Sequence, residues 1–156
     1  MQINLIAVGT KMPDWIQKGF NEYAKRMPVE CTLSLIEIPT AQRSKNMGPT
    51  QILDREGEEI LKAIPKNNRI IALDVLGHSW NTEQLAEQLN SWMQTGRDIS
   101  LFIGGAEGLS QKCLEKAEIK WSLSPLTFPH LLVRVIVAEQ LYRASSILKH
   151  HPYHRG

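Results

Sequence analysis

The sequence contains little cysteine, and its two cysteines are not arranged for cross-linking or for metal binding. Cys31 and Cys113 stand far apart and form no Cys-x-x-Cys pair. Neither a disulfide framework nor a zinc site is therefore indicated, and both thiols are expected to be buried in a reducing compartment. The sequence also lacks a long uninterrupted apolar segment, because its most apolar stretch, residues 131–148, contains two arginines and a glutamate. No membrane span is expected there, since each of these charges would be costly in hydrocarbon.

The common nucleotide-binding and hydrolase motifs are missing as well. The glycines at 104, 105 and 108 do not have the Gly-x-Gly-x-x-Gly spacing, and no P-loop sequence ending in Gly-Lys-Ser/Thr occurs. A dinucleotide-binding fold and a P-loop NTPase therefore have no motif support, and no lysine is placed to grip a triphosphate. Ser110 and Ser124 lack the Gly-x-Ser-x-Gly elbow, which argues against an α/β-hydrolase.

Charge is nearly balanced in this chain of 156 residues, 42% of which are hydrophobic, and the formal net charge is +2. The length and the apolar content predict one domain with a substantial core. The first apolar run, residues 3–8, is far too short for a signal sequence, so a cytoplasmic protein is expected. The net charge by itself says little about nucleic acid.

The distribution of charge is more informative than its sum. No acidic residue follows Glu139, whereas basic residues and histidines crowd the end of the chain, and a second basic segment spans residues 42–46. Either basic segment could contact RNA, or could be only a solvated face. Pro152 separates His150 and His151 from His154, and no carboxylate follows them, so no metal site is predicted.

Apolar periodicity predicts strands that alternate with helices along the whole chain. The fully apolar run near residue 70 is typical of a strand that is covered on both faces of a parallel sheet. The alternation therefore predicts an α/β fold with a parallel sheet and helices on both faces. Strands are expected at 2–8, 31–38, 69–76 with Gly77 as the end, 99–103 and 119–123, and helices near 13–23, 50–64, 82–95, 110–117 and 131–148.

Ligands of such sheets bind beyond the carboxyl ends of the strands, which here are residues 73–77, 104–108 and 122–130. Glycines in the second segment permit close backbone approach, although a turn without a ligand would have the same composition. The third segment has little charge and many free backbone groups, which suits a flat, uncharged ring such as adenine. The helix that follows is apolar on nearly every side, so it is either the core of the domain or half of a dimer interface.

These segments also carry a family resemblance. The sequence resembles the ribosomal large-subunit pseudouridine N3-methyltransferases, of the SPOUT class of S-adenosylmethionine-dependent RNA methyltransferases, over essentially its whole length. The matching segments are Ala7-Val8-Gly9-Thr10-Lys11-Met12-Pro13-Asp14-Trp15, Leu73-Asp74, Phe102-Ile103-Gly104-Gly105-Ala106-Glu107-Gly108-Leu109-Ser110, Leu126-Thr127-Phe128-Pro129-His130, Val133-Arg134-Val135 and His151-Pro152-Tyr153-His154-Arg155.

The resemblance implies a single domain over residues 1–156, with a deep trefoil knot over about 70–156, and a homodimer that packs its last helices together. It also implies S-adenosylmethionine as the cofactor. The implied partner is large-subunit ribosomal RNA within a ribosome or a subunit. The cofactor pocket would be lined by Leu73, Gly104, Leu123, Ser124, Pro125, Leu126, Thr127 and Phe128.

The implied reaction transfers a methyl group to N3 of a pseudouridine, an imide nitrogen that carries a proton at neutral pH. Cations favour the deprotonated form of such a group. The resemblance supports the end of the chain as an active-site element, so His154, Tyr153 and Arg143, which could hold the base and stabilise its anion, are the catalytic candidates. Arg134 and Arg155 are the candidates for RNA contact, and the identity of a general base stays open. The alternative is a ribosome-associated RNA-binding protein without turnover, which would have basic surfaces but no cofactor pocket.

Overall fold

The computed structural model describes residues 1–41 and 46–155, so most of the basic segment predicted at 42–46 lies outside the described residues. Strands and helices alternate along the described chain, as the sequence predicts. They are β1 (Gln2–Val8), α1 (Asp14–Ala24), β2 (Thr32–Ile38), α2 (Pro49–Lys62), β3 (Arg69–Ser79), α3 (Thr82–Thr95), β4 (Ile99–Ile103), α4 (Gln111–Lys116), β5 (Ile119–Ser122) and α5 (His130–Leu148).

The strands form one sheet in the order β2-β1-β4-β3-β5, and every paired neighbour is parallel. β1 lies near the centre, where Ile3 pairs with Leu33 on one side and with Ile99 on the other. The predicted α/β fold with a parallel sheet is confirmed. Because the strands are parallel, all their carboxyl ends meet at one edge.

Helices cover both faces of this sheet. Leu5 points toward the larger core cluster, which α1, α3 and α5 complete with residues such as Phe20, Leu89 and Leu141. The neighbouring Ile6 points to the opposite face, where it joins a smaller cluster beneath α2 and α4. This alternation follows from the two-residue period of a strand.

The end of β3 differs from the prediction. Gly77 was expected to end the strand, but β3 continues to Ser79, with a shift of register against β5 between Leu73 and His78. A Cβ on Gly77 would lie 2.6 Å from the carbonyl carbon and oxygen of Lys120. Gly77 is therefore needed because the backbone of β5 passes close to it, and not because the strand stops there.

Helix ends follow their capping residues closely. Asn81 accepts a hydrogen bond from the backbone of Gln84 at 2.8 Å and forms a capping box, and Gly96 ends α3 in the left-handed conformation. Ser110 caps α4 by accepting from the backbone N–H of Cys113 at 3.3 Å. Most of the other bounds differ from the prediction by at most one residue: β2 begins at Thr32, α2 at Pro49 and α5 at His130, and β5 ends at Ser122. The larger difference is at the end of α2, which stops at Lys62 and not at residue 64. None of the described helices is long and apolar enough to cross a membrane.

Candidate functional site

A first cleft of about 420 Å³ opens at the carboxyl edge of the sheet, between β3, β4, the loop after β5 and the start of α5. The structure brings together here the three segments that the sequence singled out. Of the eight predicted cofactor residues, seven line the cleft, and Pro125 is not among the lining residues. The seven are Leu73, Gly104, Leu123, Ser124, Leu126, Thr127 and Phe128.

The walls of the first cleft are mainly apolar, and its lining includes the buried ring of Trp121. Asp74 and His130 supply the ionisable side chains, and no lysine or arginine is among the described residues that line the cleft. The sequence predicts no role for Trp121, Asp74 or His130. A signal was present for Asp74, because a carboxylate within an apolar strand segment costs free energy when it is buried without a partner.

The glycine segment forms a tight turn on one side of the first cleft. Gly108 donates its backbone N–H to the carbonyl oxygen of Gly105 at 3.0 Å and has a φ of +87°. A Cβ on Gly104 would lie 2.2 Å from the carbonyl oxygen of Gly108. The turn therefore requires glycine at both ends for its own closure, and its backbone forms the wall of the cleft.

The loop after β5 is held by short local hydrogen bonds. The hydroxyl of Ser122 donates to the carbonyl oxygen of Ser124 at 3.2 Å, and the hydroxyl of Ser124 accepts from the backbone N–H of Leu126 at 3.0 Å. These serine contacts are typical of turns that order a loop without regular structure. Leu126 is left 70% exposed at the mouth of the cleft, where a large apolar side chain is available to a ligand.

A second cleft of about 480 Å³ adjoins the first and shares Trp121, Leu123 and Phe128 with it. Its other walls come from the start of α3, from α5 and from the chain end, where His154 reaches the cleft. Trp80 lines it and stacks on Trp121 with ring centroids 5.8 Å apart. His154 thus lines a cleft that has three side chains in common with the first cleft.

The two other catalytic candidates, Arg143 and Tyr153, meet at Glu139 in the middle of α5. The guanidinium of Arg143 donates to Glu139 Oε1 from Nε at 2.8 Å and from Nη2 at 2.5 Å, and the hydroxyl of Tyr153 donates to the same oxygen at 3.1 Å. Arg143 also lies over the ring of Tyr153, 4.9 Å from its centroid. The sequence predicts Arg143 and Tyr153 as site residues but not Glu139, although its spacing of four residues from Arg143 on a helix is a signal for such a pair.

The environment of these groups fixes their protonation. Burial, together with hydrogen bonds to Tyr23 and Glu139, raises the pKa of Tyr153 to about 12. The hydrogen bonds to Glu139 raise the pKa of Arg143 above its ordinary value. Tyr153 is therefore a neutral phenol and Arg143 a cation at neutral pH, so Tyr153 does not act as a base while it is docked.

The two arginines predicted to contact RNA have different positions. Arg155 is exposed, and its Nε donates to the carbonyl oxygen of Pro152 at 3.2 Å. Arg134 is fully buried and donates to Glu37 at 2.8 Å, to the carbonyl oxygen of Gly9 at 2.8 Å and to that of Val8 at 3.2 Å. The expectation of RNA contact does not fit this position of Arg134, because its donors are turned inward to tie α5 to the end of β1.

Solved structures with a similar fold include proteins of methylase families. A protein from Haemophilus influenzae Rd KW20 assigned to a methylase family superposes with a TM-score of 0.58 at 13% identity, covering 99% of this chain and 70% of that one. A methylase family protein from Neisseria gonorrhoeae gives a TM-score of 0.52 at 13% identity, with 90% and 81% covered. At these identities the likeness concerns the fold.

A third structure holds a ligand. It is a methyltransferase from Legionella pneumophila in complex with S-adenosylmethionine, with a TM-score of 0.50, 9% identity and coverage of 93% of this chain and 66% of that one. The sequence itself matches a family model described as predicted SPOUT methyltransferase over residues 1–154, almost the whole chain. This match shows that the chain belongs to the SPOUT methyltransferase family.

Proposed function

We propose that this protein methylates N3 of a pseudouridine in large-subunit ribosomal RNA, with S-adenosylmethionine as the methyl donor. S-adenosylmethionine is the cofactor of SPOUT methyltransferases, and bound to the protein it supplies a methyl group on a positively charged sulfur. The choice of pseudouridine rests on the sequence segments named above, which this chain shares with the pseudouridine N3-methyltransferases.

The first cleft is the observation that carries the proposal. Its apolar walls, its tight glycine turn and the 123–128 loop that lines it fit a ligand with an adenine ring and no phosphate. Leu73, Gly104 and the side chains of the 123–128 loop would hold that ligand. Asp74 is the carboxylate in the lining, so it is available to accept hydrogen bonds from hydroxyl or ammonium groups.

The end of the chain would serve the RNA base. A pseudouridine N3 must lose its proton, and the fixed charge of Arg143 favours the resulting anion. The ring of Tyr153 can stack on the base, and His154 lines the second cleft, next to the residues that the two clefts share. Arg155 is free to contact the phosphate backbone, which makes it the better candidate of the two predicted RNA arginines.

Three further expectations belong to this proposal. The chain would be a homodimer in the cytoplasm, its substrate would be a ribosome or a ribosomal subunit, and residues of about 70–156 would form the trefoil knot within a single domain. The dimer is supported by Leu131, Leu132 and Ile136 of α5, which are half-buried and belong to neither core cluster of the described residues.

The test is transfer of labelled methyl groups to ribosomes isolated from cells that lack this modification. We expect N3-methylpseudouridine in the large-subunit RNA, and calorimetry should show binding of S-adenosylmethionine in the absence of RNA. Binding of the cofactor with methylation at another base would retain the enzyme and reject the substrate. Binding of RNA without any binding of the cofactor would favour the non-enzymatic alternative.

A further inference from the structure

The end of the chain is held by two carboxylates that the sequence analysis did not assign to the site. We use the name tail for residues 150–155. Glu139 Oε1 accepts from Arg143 and from the hydroxyl of Tyr153, and Glu83 Oε1 lies 3.2 Å from Nε2 of His154. Glu139 projects from the middle of α5, and Glu83 from the first turn of α3. The tail is thus fixed to two different helices of its own chain.

The contacts of His154 determine where its ring proton resides. Nη1 of Arg143 lies 3.1 Å from Nδ1 of His154, and a guanidinium can only donate. Nδ1 must therefore accept with its lone pair, which places the proton of the neutral ring on Nε2. That N–H then donates to Glu83. In this arrangement neither ring nitrogen has a free lone pair for a proton from the substrate.

Glu139 stands at the start of this chain of contacts. Glu139 holds the guanidinium of Arg143 through hydrogen bonds. Arg143 in turn donates to Nδ1 of His154, which keeps that nitrogen unprotonated, and Glu83 accepts from Nε2. The side chains of Glu139 and Arg143 are only 17% and 27% exposed. Hydrogen bonds between charged groups are roughly twice as strong as neutral ones, and water screens these less than it screens surface pairs.

We infer that Glu139 and Glu83 are positioning residues, which hold the tail in one geometry and hold His154 in its Nε2–H form. The inference rests on the proposed function, because it assigns their purpose to the methyl transfer reaction. Neither carboxylate contacts the first cleft, so their loss should lower the rate of the bound complex and leave cofactor affinity unchanged. His154 serves as a donor in this geometry, and the general base lies elsewhere or is solvent.

The experiment compares wild-type protein with Glu139→Gln and Glu83→Gln, and with Glu118→Gln as the matched control. Glu118 also pairs with an arginine through two hydrogen bonds, to Arg97 at 2.9 and 3.3 Å, but it lies away from the tail. The first readout is release of tail residues by a carboxypeptidase mixture, followed by mass spectrometry. The second is kcat and KM for ribosomes at saturating S-adenosylmethionine. The third is the nitrogen NMR spectrum of His154.

For Glu139→Gln we expect about tenfold faster release of the tail and about tenfold lower kcat, because the substitution weakens the charged hydrogen bonds that hold Arg143 and Tyr153. KM and cofactor affinity should be unchanged. Glu83→Gln should change the His154 spectrum and lower kcat less, because one contact of the tail is affected. In the wild type the NMR shift of Nδ1 should be that of an unprotonated nitrogen. Glu118→Gln should match the wild type throughout.

Three results would overturn the inference: tail release at the wild-type rate in Glu139→Gln, faster release with an unchanged kcat, or an Nδ1 that carries the proton in the wild type. A rise in KM alone would assign Glu139 to RNA binding and would also reject the positioning role. If wild-type protein does not methylate ribosomes, the proposed function fails, and the release and NMR measurements still decide whether these carboxylates hold the tail.

Discussion

Gly104 lies where β4 ends, and its backbone passes so close to Gly108 that no side chain fits between them. A Cβ at this position would be 2.2 Å from the carbonyl oxygen of Gly108, a distance that real contacts do not show. A larger residue would force the turn open and displace one wall of the first cleft. The effect of substitution should therefore fall on the ligand site and leave the sheet intact.

We expect Gly104→Val to abolish S-adenosylmethionine binding in calorimetry while the circular dichroism spectrum stays that of the wild type. Gly48→Ala is the control, because a Cβ on Gly48 would meet no atom within 4 Å. Undiminished affinity in Gly104→Val would place the cofactor outside the first cleft.

Arg134 gives a second prediction at this scale, since it is a buried charge with structural partners. Replacing it by methionine leaves the carbonyl oxygens of Val8 and Gly9 without their donor and Glu37 without its cation. The free energy of unfolding should fall by about 1–3 kcal/mol, as for other buried groups left unpaired. Urea denaturation measures this loss, and Lys120→Met, at an exposed strand position, is the control. A variant as stable as the wild type would contradict the structural role.

The two residues differ in how far their roles could be predicted from the sequence. The glycines at 104 and 108 were recognised as turn residues because local geometry requires them. The sequence predicts RNA contact for Arg134 because a nearby cation favours the deprotonated form of the target base. Its partner Gly9 is 125 positions away in the chain, so only the folded structure brings the two together.

At the scale of elements, local signals determined the helices well. The capping box of Asn81 and Gln84 and the left-handed Gly96 set both ends of α3, and each acts within a few residues. β3 was less predictable, because its continuation past Gly77 depends on pairing with β5, about forty residues later in the chain. The position of the tail also depends on contacts with other segments. Its docking on Glu139 and Glu83 could not be predicted from the apolar periodicity of the sequence.

Deleting the tail distinguishes a functional role from a dispensable terminus, because the two hypotheses predict different methylation activities. Its apolar content is small, so as a mere terminus it should fray and be dispensable. We expect deletion of residues 153–156 to leave S-adenosylmethionine affinity and the oligomeric state intact but to reduce methylation by orders of magnitude, because positioning and charge are removed together. The assay is methyl incorporation into unmodified ribosomes at saturating cofactor.

Point substitutions separate the contributions of Arg155 and His154 to methylation. Arg155→Ala should weaken ribosome binding and reduce its salt dependence, as expected for one lost phosphate contact. His154→Ala should act on kcat. Full activity in the truncated protein would show that the tail takes no part in the reaction.

For the whole molecule, the alternation of strands and helices was enough to predict a parallel sheet covered on both faces. The order β2-β1-β4-β3-β5 was not predicted, because strand order depends on which crossover lies on which face, and the periodicity of each segment does not record that. The meeting of the three loops could still be anticipated, since in any order the carboxyl ends of parallel strands share one edge.

The outer side of α5 carries the last prediction, because apolar residues there belong to neither core cluster of the described chain. Leu131, Leu132 and Ile136 are half-buried and join neither core cluster, whereas Val135 lies close to Gly19 of α1 in the same chain. A stripe of this kind on a helix in a monomer would expose apolar surface to water, and a second copy that packs against it would remove that surface. We expect wild-type protein to sediment as a dimer.

Leu132→Glu should dissociate that dimer, because the carboxylate would lose its water in the interface without gaining a partner. Val29→Glu is the matched control: Val29 is 91% exposed and lies outside α5, so the same change there should leave a dimer. Circular dichroism distinguishes a folded monomer from an unfolded chain. If Leu132→Glu stays a folded dimer in sedimentation while its spectrum is unchanged, the contact between protomers does not involve this side of α5, and another surface must be sought.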